Sequence, residues 1–342
     1  MSAVPTLSDV AKRAGVSLAT VDRVINKRPN VKPRTVERVR QAMADLNYRP
    51  DPMAAGLARR KRFRLLFLLP TGTNAFMVDL ASQIEGMEAW LAASRASVET
   101  VHADVFDPGA LAAAIDALDR SADGAAIVAL DHPEVRAALD RLAGDGVPFV
   151  TLVSDAPASR RERFVGVDNA AAGRTAGALI GRFAAGRKGT AGLLVGSLSL
   201  RDHMDRCFGF SQVVMRDYPN LTILPIVETR DDRERAEAAV RDLCAAQPDL
   251  VTLYNAGAGN QGVARALAQA EACRPIFVGH ELTESSREAL REGTFDALLA
   301  QNPGHEVRSA ARILLAKAMD TSIIAEQERI RIDIFIRENL PF

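Results

Sequence analysis

Long hydrophobic runs are missing from this sequence. The longest strongly apolar stretch, Leu65–Leu69, falls far short of the ~20 residues that span a bilayer. The opening run MSAVPTLSDVAKR contains no apolar segment of the signal-peptide kind. A chain with neither feature is expected to be cytoplasmic and to have no membrane partner. Cysteine is scarce: Cys207, Cys244 and Cys273 are odd in number and form no Cys-x-x-Cys pair, which predicts reduced thiols rather than a disulfide framework. Aromatics are few, and the single tryptophan, Trp90, is expected to pack in a core. Catalytic signatures are also lacking. There is no P-loop and no Gly-x-Ser-x-Gly. His280-Glu281 and His305-Glu306 are followed by Glu284 and Ser309 where a zinc protease needs a second histidine. No metal, no cofactor and no enzymatic activity are therefore expected.

Net charge is the last absence, and it conceals a division. The 342 residues carry 43 basic and 43 acidic side chains. Residues 1–62 hold fourteen Lys and Arg against five Asp and Glu, a surplus of +9, and the remaining 280 residues carry the opposing −9. A small basic module fused to an acidic body points to polyanion binding by the first part alone. The length fits two or three domains.

The basic part reads as three short helices. Thr6 precedes Asp9 by three residues, a variant capping box, and Leu7, Val10, Ala11 and Ala14 follow at helical spacing until Gly15. Ser17 caps a second helix whose inner face is Val21, Val24 and Ile25, and Pro33 opens a third with Val36, Val39, Met43 and Leu46 inward and Asn47 beyond its end. Two helices joined by a turn as tight as Gly15-Val16 make a helix-turn-helix, whose second helix enters the major groove N-terminus first. Ser17, Leu18, Ala19, Thr20 and Arg23 are then candidates for base edges; an arginine can read guanine and an apolar side chain a thymine methyl. Lys27, Arg28, Asn30, Arg34 and Thr35 are candidates for phosphates.

The run TLSDVAKRAGVSLATVDRVINKRPNVKPRTVERVRQAMADLNYRPD resembles the headpiece of the lactose-repressor family throughout, through its DVA, GVS, ATV, RVIN, TxxRV and LNYxP elements. The resemblance adds Thr6, Asn26 and Tyr48 to the DNA-facing residues. Asp22 and Lys32 stand where the family usually has serine, so the operator sequence does not carry over. After residue 50, Asp51-Pro52 and a run of alanines favour a helix too short to persist alone, weakened by about a further 1 kcal/mol by Gly56. The resemblance makes residues 51–62 a hinge helix that pairs with a second copy in the minor groove, with Ala54 in contact and Leu57 as the wedge that kinks the DNA. The implied assembly is a homodimer on a pseudo-palindromic operator.

From residue 63 onward, apolar strands alternate with helices: Leu65–Leu69, Ala125–Leu130, Phe149–Val153, Leu193–Val195, Leu250–Tyr254 and Ile276–Val278. Continuous apolar strands of this kind are buried on both faces of parallel sheets. The expected fold is thus an all-α helix-turn-helix headpiece over residues 1–50, a hinge at 51–62 and an α/β sensor over 63–342. About 280 residues with this many units exceed one open sheet and suggest two similar doubly wound parallel-sheet lobes. The stretch FVGVDNAAAGRTAGALIGRF resembles the crossover of a type I periplasmic-binding-like domain, which implies a cleft between the lobes, three passages of the chain, and lobes of about 63–166 with 301–326 and about 167–300 with 327–342.

Ligands of open α/β sheets lie outside the carboxyl ends of the strands. That rule selects Thr71, Asn74 and Phe76; Asp131 and His132; Ser154 and Asp155; the loop from Ser197 to Arg206; Asn255; His280 and Glu281; and Gln301 with Asn302. Such residues suit a sugar, polyol or sugar acid, with fixed hydrogen-bonding groups for hydroxyls and an aromatic face for the apolar side. The family resemblance singles out Arg206, Glu281 and Gln301 as effector-holding residues. A Gly257-x-Gly259-x-x-Gly262 run mimics a dinucleotide fingerprint, but too little chain follows it for a second mononucleotide half.

Overall fold

In the computed structural model, residues 5–25, 29–48, 61–72, 74–270 and 272–341 are described. Asn26, Lys27, Arg28 and the hinge residues Ala54 and Leu57 lie outside them. The chain divides into two compact units, Met1–Lys61 and Arg62–Phe342, taken here in turn.

The first unit contains α1 (Leu7–Ala14), α2 (Leu18–Ile25) and α3 (Pro33–Asp45). Thr6 and Asp9 form a reciprocal capping box at the start of α1, and Gly15 ends it at φ 61°, a left-handed conformation that glycine adopts without strain. The turn is held from a distance: the Arg38 guanidinium donates to the carbonyls of Ala14 and Gly15. Val10, Ala11, Ala14, Val21, Val39 and Ala42 form the core, with Val24, Ile25, Met43 and Leu46 packed around it. Lys32 caps α3 with no side-chain hydrogen bond, a departure worth about 1 kcal/mol against a serine.

The second unit holds two sheets. In the first, β1 (Phe63–Pro70), β2 (Ala96–Ala103), β3 (Gly124–Ile127), β4 (Phe149–Leu152) and β5 (Arg163–Val165) run in the order β2-β1-β3-β4-β5, all parallel. The second is ordered β12-β11-β10-β9-β6-β7. It comprises β6 (Gly189–Val195), β7 (Leu221–Ile223), β9 (Leu250–Asn255), β10 (Ile276–His280), β11 (Ala297–Ala300) and β12 (Asp333–Phe335), while β8 (Val227–Glu228) pairs with β6. Only β12 among these is antiparallel. Both sheets reverse winding beside their first strand, between β1 and β3 and between β6 and β9, and such reversals open crevices for ligands.

Helices cover both faces. Those that matter below are α4 (Ala75–Glu85), α8 (Asn169–Ala184), α9 (Arg201–Asp217), α10 (Arg233–Ala246), α11 (Asn260–Gln269) and α13 (Pro303–Ala318). Val307, Ala310, Ala311 and Leu314 of α13 join the core of the first sheet, although β11 before it and β12 after it belong to the second. Together with the β5–α8 connection, the chain therefore passes between the lobes three times. The second lobe has one core on each face of its sheet, around Phe210 and Tyr254 on one side and Phe277 and Phe295 on the other.

Two sequence expectations need correction. Cys244 and Cys273 form a disulfide with a Cα–Cα distance of 5.7 Å, joining α10 to the segment before β10; 29 residues of separation carry no local motif that announces it. Cys207 is the free thiol. Trp90 is 37% exposed, because its short helix offers Leu91 to the core instead. Among the described residues, no helix is long and apolar enough to cross a membrane.

Candidate functional site

In the first unit, the candidate DNA-facing side chains divide by burial. Ser17, Leu18, Ala19, Arg23, Asn30 and Arg34 are exposed, while Thr20, Thr35 and Tyr48 are half-buried. Leu18, at 53% exposure, is a large apolar side chain at the first turn of α2 that the headpiece core does not use. Ser17 accepts from the Thr20 amide at 3.2 Å, which leaves the N-terminal turn of α2 ordered and open to solvent. Thr6 is spent on its capping box with Asp9.

In the second unit, a cavity of about 280 Å³ lies between the carboxyl ends of the two sheets, with walls from both lobes. The first lobe contributes Thr71, Asn74 and Phe76 after β1, Asp104 and Phe106 after β2, and Ser154 after β4; the second contributes Asp202, His203 and Arg206 of α9, Arg230 and Asp231 after β8, Ala258 after β9 and Glu281 after β10. Gln301 sits where the chain leaves β11 for α13.

Arg206 is 4% exposed. Its Nε donates to Asn169 Oδ1 at 2.8 Å and its Nη1 to the Ala256 carbonyl at 2.9 Å, so the guanidinium plane is fixed while Nη2 takes no part in either bond. The approach that permits this is made by glycines. A Cβ on Gly173 of α8 would stand 1.9 Å from the Arg206 carbonyl oxygen, and one on Gly209 of α9 would stand 2.1 Å from that of Ala170. The two helices cross backbone to backbone, and Asn169 and Arg206 meet at that crossing.

Gln301 donates through Nε2 to Glu281 Oε1 at 3.0 Å. Desolvation raises the Glu281 carboxyl to about 7 despite the opposing pull of Arg206 and Gln301. Behind this wall Glu306 of α13 is fully buried, neither carboxyl oxygen has a hydrogen-bond partner, and desolvation followed by repulsion from Glu281 pushes its pKa well above the usual range. Across the cleft, Asn74 caps α4 by accepting from the Phe76 amide at 3.0 Å and donates through Nδ2 to Asp231 Oδ2 at 3.1 Å, a hydrogen bond from one lobe to the other.

Of the residues singled out from sequence, Thr71, Asn74, Phe76, Ser154, Arg206, Glu281 and Gln301 line this cavity together, with Asp202 and His203 from the loop that ends at Arg206. Asp131, His132, Asp155, Ser197, Asn255, His280 and Asn302 are not in its lining. Asp131 pairs with Arg136 at 2.7 Å and Asp155 with Arg161 at 2.6 Å. Ser197 offers its amide to His203 Nδ1 at 3.2 Å. Asn255 folds the following loop by donating to the Ala258 carbonyl and to Asn260 Oδ1. His280 is bonded to the Tyr254 hydroxyl at 2.8 Å, and burial lowers its pKa well below the usual value. Asp104, Phe106, Arg230 and Asp231 are the wall residues that sequence reasoning missed. They follow β2 and β8, strands absent from the sequence-based set, and the carboxyl-end rule would have found them had those strands been recognised. The dinucleotide-like glycines are explained by packing: Cβ atoms on Gly257 and Gly262 would collide with the Gly196 amide nitrogen and the Arg233 carbonyl.

Comparison with known proteins gives the following. Residues 65–321 match the family described as "Periplasmic binding protein domain", and residues 6–51 match "Bacterial regulatory proteins, lacI family". Catabolite control protein A of Priestia megaterium is 45% identical over 80 residues, 23% of this chain and 24% of that protein; its counterpart from Staphylococcus xylosus is 41% identical over 80 residues, with the same coverage. These alignments thus span about a quarter of the relatives' length. Among solved structures, a glucose-galactose binding protein from Geobacillus stearothermophilus has a TM-score of 0.72 at 21% identity, over 82% of this chain and all of that one. A putative LacI transcriptional regulator from Bacteroides fragilis has a TM-score of 0.71 at 19% identity, over 82% and 98%. At these identities the likeness is one of fold.

Proposed function

The chain belongs to the periplasmic binding protein domain family, and from that premise, joined to the lacI-family match at residues 6–51, we propose that it is a DNA-binding transcriptional regulator, a repressor controlled by a small sugar-like effector. The observation that carries this reading is the union in one chain of a +9 segment, folded as a helix-turn-helix with an exposed second helix, and a two-lobed domain with a polar cleft.

In this reading Ser17, Leu18, Ala19, Thr20 and Arg23 face base edges; Lys27, Arg28, Asn30, Arg34 and Thr35 position the headpiece on phosphates; Thr6, Asn26 and Tyr48 also face the DNA; and Ala54 and Leu57 engage the minor groove. Operator binding takes two copies, since a pseudo-palindromic site mirrors a two-fold axis. In the cleft, Arg206 presents a fixed donor fork, Gln301 and Glu281 present acceptors, and Phe76 with Phe106 supplies an apolar face. An effector touching both lobes shifts the population between open and closed forms.

The test is to select binding sites from random duplex DNA with the full-length protein, then measure affinity against salt with and without residues 1–62. Neutralising several phosphates gives log K a slope of several units against log salt, and removing the +9 segment should abolish retardation. A truncated chain that still retards the selected DNA would sink the proposal.

A further inference from the structure

The cleft holds more negative charge than a neutral sugar requires. Its walls bring Asp104, Asp202, Asp231, Asp232 and Glu281 against Arg206 and Arg230. Most of these acids have internal partners. Asp104 faces Arg230 at 3.8 Å, Asp232 caps α10, Asp231 accepts from Asn74 and from the Ala258 amide, and Glu281 accepts from Gln301. Asp202 differs. It is 6% exposed, and its Oδ1 is buried with no hydrogen-bond partner. The nearest basic side chain is the His203 imidazole, 3.7 Å from Oδ2, whose Nδ1 accepts from the Ser197 amide, and Arg206 directs its bonds to Asn169 and Ala256 instead.

Two neutral side chains on the same cavity repeat this pattern. Gln301 turns Nε2 to Glu281 and leaves Oε1 unpartnered, and Ser154 Oγ, also buried, lacks a partner. Buried polar atoms without partners are costly and uncommon, so two acceptors, on Asp202 and Gln301, and the Ser154 hydroxyl, which can donate or accept, describe what the occupant of the cavity must bring. A hydroxyl brings one donor together with acceptor lone pairs. An ammonium brings three donors, a positive charge and no acceptor. Among the described residues, no group of three or more His, Cys, Asp or Glu could hold a metal ion, so the acids are not a cation cage of that kind.

We propose that the effector is an amine-bearing sugar or polyol, its ammonium held by Asp202 with Gln301 and Ser154 as flanking acceptors and its hydroxyls held by Arg206. This rests on the reading of the cleft as the effector site and narrows the ligand class within it. Sugar acids are disfavoured by the same balance, because a ligand carboxylate would face Asp202, Asp231 and Glu281 with one buried guanidinium to offset them. The cavity volume lies at the small end for ligand sites and suits a single ring.

The experiment is calorimetric and thermal-shift titration of the full-length protein with matched trios: D-glucosamine, D-glucose and D-glucuronate, and their galacto and manno counterparts. An amine-bearing member should bind roughly tenfold to a hundredfold more tightly than its neutral counterpart, and Asp202→Asn should bring it down to the neutral counterpart's affinity. A neutral or acidic sugar that binds more tightly than its amine overturns the proposal and leaves the cleft as the effector site. A protein that binds no member of any trio removes both the proposal and the sugar reading beneath it. A second readout needs no ligand: Asp202→Asn should leave the ligand-free Tm close to the parent's, since Oδ1 has no internal hydrogen bond to lose. A lowered Tm would make Asp202 a structural partner of His203 and overturn the proposal.

Discussion

Glu306 lies inside α13 with no exposed surface and no hydrogen-bond partner for either carboxyl oxygen. A carboxylate there would be surrounded by low-dielectric protein and would face Glu281 and Asp202, with Arg206 as the opposing charge. The group stays protonated instead. Its folded pKa is raised above the unfolded value, so its contribution to stability is complete below the ordinary carboxylate range and is lost as pH rises. Glu281 acts with the same sign, and its share is lost between the ordinary carboxylate range and about 7, above which Glu306 continues the decline. The protein should therefore lose stability between pH 6 and pH 8. Glu306→Gln keeps the shape without the ionisation and should flatten that decline, gaining on the order of 1–3 kcal/mol at pH 8. Urea unfolding of both proteins at the two pH values checks this; an unchanged decline in the variant would place its source elsewhere. None of this could be read from the sequence, in which Glu306 stood out only as part of a failed zinc-protease pattern with His305. Arg206 and Gln301 were legible, because each stands at the carboxyl end of a parallel strand or just beyond one.

At the scale of elements, the α8–α9 crossing links packing to the site. Gly173, Gly177 and Gly181 line one face of α8 at four-residue spacing; a Cβ at the first would collide with the Arg206 backbone of α9, one at the second would press on the Phe210 carbonyl oxygen at 3.0 Å, and one at the third would collide with the Tyr218 ring. Gly209 answers from the other helix. Gly209→Ala must push the helices apart, at about 1–3 kcal/mol for overpacking, and should draw Arg206 away from Asn169. Effector affinity is then expected to fall by roughly tenfold or more, although the substituted residue touches no ligand. Calorimetry with any bound sugar checks this, and parent-like affinity would show that Arg206 is positioned without the crossing. The glycine spacing was visible in the sequence, but its partner was not, since contacts between helices 37 residues apart leave no local trace. The strands divide in the same way. Continuous apolar runs such as Leu65–Leu69 announced β1, whereas β2 alternates exposure along its length and β8 has two residues, so the loops after them, with Asp104 and Asp231, went unsearched. The disulfide between Cys244 and Cys273 was hidden for the same reason of distance.

At the scale of the whole molecule, the sensor unit carries its own link across the cleft. Every polar atom of the Asn74 side chain is engaged with protein: Oδ1 holds the first turn of α4, and Nδ2 reaches Asp231 in the other lobe. A bond made before any ligand arrives biases the two lobes toward each other, and the apparent affinity of a ligand scales with the fraction of molecules already competent to hold it. Asn74→Ser keeps a comparable helix cap and removes the donor to Asp231 without adding charge to the cleft. The half-saturating effector concentration should rise by about threefold to tenfold with the number of sites unchanged, and a titration curve superimposable on the parent's would show that the bond has no such weight. Under the proposed function, this makes calibration separable from recognition. Substitutions at position 74 would then move the metabolite concentration at which transcription responds along its axis, so that related strains sharing one effector and one operator would respond at different levels of supply.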